Sequence, residues 1–140
     1  MVYMSEPPNG GKELEALLQR SGVEYSREGA RFRFLFTNRG CKWQVVCDGQ
    51  EELVLIYSIH PAVITVTEQA KLFCSDLNRQ LVEGSYFVQE NHFILRTGCR
   101  LIEAIDAQER IARALEYNAA VLTADWECLS ALATGAIPFI

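Results

Sequence analysis

The segment from Leu77 to Arg96 constrains the fold more than any other part of the chain. An apolar stripe at helical spacing runs through Ala70, Phe73, Leu77 and Leu81, and Gly84 stops it. Two β-like runs follow with almost no chain between them, Ser85 to Glu90 and His92 to Thr97, so only a hairpin fits. This helix-then-hairpin unit sits midway along 140 residues. A chain of that length is one domain, able to bury roughly two-thirds of the surface its unfolded form exposes.

Upstream, Leu14, Leu17 and Leu18 mark a short first helix over Lys12 to Ser21, with Gly22 as its cap. From Val23 to His60 the period changes to two. Phe32, Phe34 and Phe36 alternate with Arg31, Arg33 and Leu35, and Asn38-Arg39-Gly40 supplies a hairpin loop. The next strand sets Cys41, Trp43, Val45 and Cys47 against Lys42, Gln44 and Val46, and Asp48-Gly49 signals a second tight turn. The third strand, Glu52 to His60, is apolar on both faces and belongs inside a sheet. The middle helix starts at Thr67. The last helix opens with Asp106 and Glu109, an aspartate form of the capping box, and its stripe continues through Trp126 and Leu132 to about Ala133.

The expected order is α-β-β-β-α-β-β-α, an α+β domain whose five-stranded antiparallel sheet carries helices packed on it. Residues 1–11, rich in proline and glycine, are expected to form a flexible leader, residues 12–135 a single domain, and residues 136–140 a C-terminal tail.

The element order, the Leu77-Asn78 pair, the Gly84-Ser85-Tyr86-Phe87 junction and the Ile94-Leu95-Arg96 strand together resemble the YbjN family, bacterial proteins whose fold is similar to that of type III secretion chaperones. The resemblance spans about Leu14 to Leu132 and rests on soft patterns of apolar and small residues. It implies protein binding, often as homodimers, with no catalytic residues.

The residues themselves offer little chemistry. Hydrophobic residues make up 49% and charged residues 22%, a globular balance. No run reaches the ~18 apolar residues of a membrane span, and none has signal-peptide form, so a cytoplasmic protein with no membrane partner is expected. Five cysteines, Cys41, Cys47, Cys74, Cys99 and Cys128, include no CxxC pair. Cys41 and Cys47, on one strand at ~3.3 Å per residue, would lie about 20 Å apart, too far to chelate or bridge. No metal or other cofactor is expected.

Of the two histidines, His60 precedes Pro61 and His92 lies at a hairpin, without a nucleophile motif beside either. Glu51, Glu52 and Glu90 read as solvated turn charges rather than an acid–base pair. Gly10-Gly11-Lys12 lacks the earlier glycine and the hydroxyl residue of a phosphate loop. The element order also differs from that of an RNA-recognition motif, which makes the phenylalanines core residues. A net charge of −5 opposes nucleic-acid binding.

Charge is unevenly spread. Six basic residues stand against two acidic ones from Arg20 to Lys42, and two against six from Leu101 to Ile140. If the phenylalanines face the helices, then Arg31, Arg33, Leu35, Lys42, Gln44 and Val46 face away, joined by Val54, Ile56 and a residue of the last strand, Arg96 or Leu95. The candidate partner-binding set is Arg31, Arg33, Leu35, Lys42, Gln44, Val46 and Arg96. An aliphatic centre with a basic rim suits an acidic amphipathic segment of another protein, or a second copy of the chain. The expected function is therefore non-enzymatic protein binding: a chaperone-like module, adaptor or regulator that forms a homodimer. The alternative is a small-ligand sensor or an enzyme with its site between the last helix and the sheet, using Tyr57, Tyr86, Arg96 or Trp126.

Overall fold

A computed structural model of the chain describes residues 6–135. The expected tail, residues 136–140, and the start of the expected leader, residues 1–5, lie outside the described residues. The elements are α1 (Gly10–Arg20), β1 (Tyr25–Glu28), β2 (Arg31–Asn38), β3 (Cys41–Gly49), β4 (Leu53–Ile59), α2 (Thr67–Arg79), β5 (Ser85–Gln89), β6 (His92–Arg100), α3 (Ala107–Ala124) and α4 (Trp126–Ala133).

The fold is α+β with an antiparallel sheet, as expected, but the sheet has six strands rather than five, in the order β1-β2-β3-β4-β6-β5. The additional strand is β1, which pairs with β2 from Tyr25↔Phe34 to Glu28↔Arg31 around a left-handed Gly29. Its four residues hold only one aromatic side chain and are mostly exposed, so no apolar alternation announces them. Tyr25 and Arg27 instead reach across to α1, where both bond the Glu15 carboxylate, at 2.9 and 2.8 Å.

α1 begins two residues before Lys12. Asn9 caps it by accepting the Lys12 N–H at 3.0 Å, and Gly10 and Gly11 are buried. The reason is a close crossing of backbones. A Cβ built on Gly49 would stand 2.8 Å from the Gly11 Cα, so only glycines allow the helix to start against the end of β3. For the same reason Asp48-Gly49 is not a turn. β3 runs on through Gly49, which pairs with Val54, and the chain reverses over Gln50, Glu51 and Glu52.

The other hairpins follow expectation. Arg39 and Gly40 both take positive φ between the paired Asn38 and Cys41, and Glu90 and Asn91 do so between Gln89 and His92. β4 lies inside the sheet, between β3 and β6.

One face of the sheet carries the core. Phe32, Trp43, Val45, Val54, Ile56, Phe93 and Leu95 are buried with Leu14 of α1, Ile111, Leu115 and Leu122 of α3, and Leu129 of α4. Beneath α3 a polar chain is fully satisfied: Trp43 Nε1–H donates to Ser58 Oγ, Ser58 to Asn118 Oδ1, and Asn118 Nδ2 to Thr97 Oγ1.

Four helix ends differ from expectation. α2 ends at Arg79, leaving Leu81 outside it, and Thr67 is its first residue without a side-chain cap. Asp106 does not cap α3; its Oδ2 accepts the Arg110 Nε–H at 2.8 Å instead. The long final helix breaks at Asp125, whose carboxylate accepts the hydroxyl of buried Tyr86 at 2.7 Å. Burial first, then this carboxylate, raises the Tyr86 pKa, so the hydroxyl stays a donor.

Candidate protein-interaction face

Strand alternation creates a second sheet face with no helix on it. Because each strand places alternate side chains on opposite sides, the registers fix its membership row by row. One row runs Arg33, Val46, Tyr57, Arg96, Ser85; the next runs Leu35, Gln44, Ile59, Ile94, Phe87; a third runs Arg31, Asp48, Leu55, Gly98. All seven candidate residues fall on this face. Arg31, Arg33, Lys42, Gln44 and Arg96 are exposed, Leu35 is 58% exposed, and Val46 is half-buried.

The structure does not bring all seven to one point. A cleft of about 410 Å³ is lined by Arg31, Arg33 and Val46 together with Tyr57, Ile59 and Ile94, and the β5–β6 turn with His92 and Glu90 closes one side. Leu35 and Gln44 line a separate hollow beside β1, while Lys42 pairs with Thr37 near the β2–β3 turn. Arg96 sits between Tyr57 and Ser85.

Val54, Ile56 and Leu95 do not belong here. They face the helices and are 0–1% exposed, because β4 joins β3 with Val46 opposite Tyr57 and Cys47 opposite Ile56. A strand apolar on both faces gives no hint of which face is covered, and the register decides it. The residues that β4 and its neighbours contribute are Leu55, Tyr57, Ile59, Ile94 and Phe87. Tyr57 meets Phe87 edge-on, ring centres 6.4 Å apart. Ile94 is only 7% exposed on a face without helices, so this side of the sheet has an apolar centre of its own. The signal available in the sequence was the alternation of Leu53, Leu55, Tyr57 and Ile59.

The rim is mainly cationic, with Asp48 and Glu90 the acidic residues in the cleft lining. Among the described residues none of Arg31, Arg33, Lys42 and Arg96 makes an ion pair, whereas Arg27, Arg79, Arg110 and Arg113 all do.

The two histidines support the structure locally. His60 is buried, its Nδ1 accepting the Ala62 N–H and its Nε2 standing 3.2 Å from the Trp126 carbonyl, with the ring 4.5 Å from the Trp126 ring. His92 Nδ1 donates to the His60 carbonyl at 2.9 Å. Ser130 Oγ is 3.2 Å from His60 Nε2 but donates to the Trp126 carbonyl, and a backbone amide occupies the place an orienting carboxylate would take. Tyr57 and Arg96 lie on the open face, Tyr86 and Trp126 on the helical side, so those four are not brought together. Burial pushes the Cys47 thiol up to about 12, which keeps it protonated and unreactive.

This helix-backed antiparallel sheet is similar in fold to solved structures that include a YbjN protein and a type III secretion chaperone. YbjN of E. coli, described as a candidate transcription regulator, superposes with a TM-score of 0.60 at 11% identity, over 84% of this chain and 89% of that one. The Yersinia pestis type III secretion chaperone SycH, solved with a stable fragment of YscM2, gives 0.53 at 16% identity, over 86% and 98%. No family model matches the sequence, and no curated protein does.

Proposed function

We propose that this chain is a non-enzymatic protein-binding domain, chaperone-like, adaptor or regulatory in role, acting in the cytoplasm as a homodimer. Its partner presents an acidic amphipathic segment to the open sheet face. The observation that carries this reading is the cleft in which Tyr57, Ile59 and Ile94 form an apolar floor while Arg31 and Arg33, both without ion-pair partners among the described residues, stand at its edge, with Asp48 and Glu90 also in the lining. Burial of the floor supplies affinity at about 25 cal/mol per Å² of apolar area, and the charges set register and rate. That SycH was solved with a protein fragment supports the same style of action.

The test is a calorimetric titration with an acidic amphipathic peptide, comparing the unaltered protein with Arg31→Glu/Arg33→Glu. Loss of two favourable charges and gain of two repulsive ones is expected to weaken binding at least roughly tenfold. Both side chains are exposed, so the fold should hold, with a melting temperature lowered by only a few degrees because a glutamate at position 31 faces Glu28 and Asp48 across the ladder. Equal affinity in the variant would remove the cleft from the function.

A further inference from the structure

β6 is longer than the strand beside it. The β5–β6 ladder ends at Ser85↔Arg96, yet β6 continues to Arg100. The two-residue turn at Glu90–Asn91 closes on the Gln89↔His92 pair, so the even-numbered residues of β6 direct their N–H and C=O groups toward β5. The odd-numbered ones bond the other way, as the His60 N–H to Phe93 carbonyl bond shows. Gly98 and Arg100 therefore present both backbone groups to an edge with no strand on it. Among the described residues no hydrogen bond satisfies them, and both are exposed.

The chain that would otherwise extend β5 is turned aside. Gly84 takes φ +90, and Tyr117 of α3 bonds both the N–H and the C=O of Glu83. What is left is a hollow of about 480 Å³ between Gly98 and Arg100 on one side and the Arg110–Asp106 and Arg113–Glu109 ion pairs of α3 on the other, with Glu83 also in its lining; Arg100 is its one arginine without an ion-pair partner among the described residues. The open stretch, Thr97 to Arg100, is ~13 Å long at ~3.3 Å per residue, room for a four-residue strand.

We infer that this open edge of β6 is the docking site for an extended segment of a partner protein that carries an acidic side chain and a bulky apolar one two residues apart. The backbone of such a segment would complete the ladder at Gly98 and Arg100 in line with β5. The side chain opposite Gly98 lies over a position with no side chain, where a Cβ would find Leu55 Cδ2 at 3.5 Å and Leu53 Cδ1 at 4.0 Å, both apolar, so a large apolar group fills it. The side chain opposite Arg100 meets a guanidinium that has no ion-pair partner among the described residues, and Arg96 is in the same condition diagonally across. A second copy paired at this edge would set the Arg96 and Arg100 groups of both molecules side by side. Charge therefore selects an acidic segment over self-pairing.

This inference rests on the protein-binding reading but not on the cleft, and the two separate by experiment. The probe is the blocked heptapeptide acetyl-Thr-Glu-Thr-Phe-Thr-Glu-Thr-amide, titrated into ¹⁵N-labelled full-length protein. The Gly98 and Arg100 amide resonances should shift and their exchange with solvent should slow. A peptide N-methylated at alternate amides, unable to pair at the edge, should bind at least roughly tenfold more weakly, and so should the Lys-for-Glu peptide. Arg100→Glu should reverse the Glu-over-Lys preference, while Arg31→Glu/Arg33→Glu should leave the Gly98 and Arg100 shifts unchanged. Equal binding of the N-methylated peptide would overturn the proposal. So would shifts confined to Val46 and Tyr57, which would place the peptide in the cleft instead. Protection of Gly98 and Arg100 in the peptide-free protein that disappears when residues 1–5 are deleted would assign the edge to the chain's own start and overturn it as well.

Discussion

His60 is 1% exposed, and the groups facing it require it to be neutral. The Ala62 N–H points at Nδ1, which must offer a lone pair, and the Trp126 carbonyl faces Nε2, which carries the proton. Burial lowers its pKa, and the nearby His92 adds to this, against the opposing pull of the Trp126 carbonyl. A histidine harder to protonate folded than unfolded makes the unfolded chain the better proton acceptor, so stability falls as the pH drops below about 6.5, the ordinary value, and through the lowered folded one. Chemical denaturation at pH 7.5 and 5.0 should give a lower midpoint at the acid pH. His60→Gln, which cannot charge, should show a smaller acid loss than the unaltered protein; an equal loss would place the titration on other groups.

Among the elements, α2 has the least obvious reason to be where it is, and Asn78 supplies it. β5 is an edge strand, and the backbone groups of Tyr86 point off the sheet. Asn78 Oδ1 accepts the Tyr86 N–H at 2.6 Å, and its Nδ2 donates to the Tyr86 carbonyl at 3.1 Å, so one amide side chain closes the edge as a neighbouring strand would. Asn78→Ala removes both bonds at a half-buried site and should cost about 1–3 kcal/mol. Hydrogen exchange at Tyr86 should accelerate. Asn78→Asp keeps the acceptor but sets a carboxylate oxygen against the Tyr86 carbonyl in place of the donor, so it should not restore the clamp; an unchanged Tyr86 exchange rate in the alanine variant would disprove it. Asn78 stood in the sequence beside Leu77, but nothing in its spacing said that it faces a strand edge. The hairpins at Arg39-Gly40 and Glu90-Asn91 were legible because turn chemistry and strand alternation are local. β1, the break at Asp125 and the path of β3 through Gly49 were not, since each answers to a distant contact: Glu15 of α1, the Tyr86 hydroxyl and the Gly11 backbone. The candidate face was half legible for the same reason. Alternation in β2 and β3 sorted Arg31, Arg33 and Val46 to one side, but Tyr57, Ile59 and Ile94 joined them only through the pairing of β4 with β3 and β6.

The molecule separates its unpaired charges in part. The open face of the sheet displays Arg31, Arg33, Lys42 and Arg96 with Asp48 and Glu90 among them, while exposed carboxylates at Glu116 and Glu127 lie on α3 and α4 of the opposite side, where Glu109 is paired with Arg113. Two copies meeting open face to open face would crowd unpaired guanidinium groups into a surface shielded from water, where like charges repel strongly. The homodimer we propose must therefore form through surface outside the cleft, and exposed apolar side chains do lie elsewhere, among them Leu72 at 73% and Val82 at 91%. A dimer built that way leaves both clefts available to partners. Light scattering on the eluting protein should report twice the 15.8 kDa chain mass. Arg31→Glu/Arg33→Glu should leave that mass unchanged while weakening peptide binding. A variant that runs as a monomer would show that the cleft is the dimer interface, and the partner would then have to bind elsewhere.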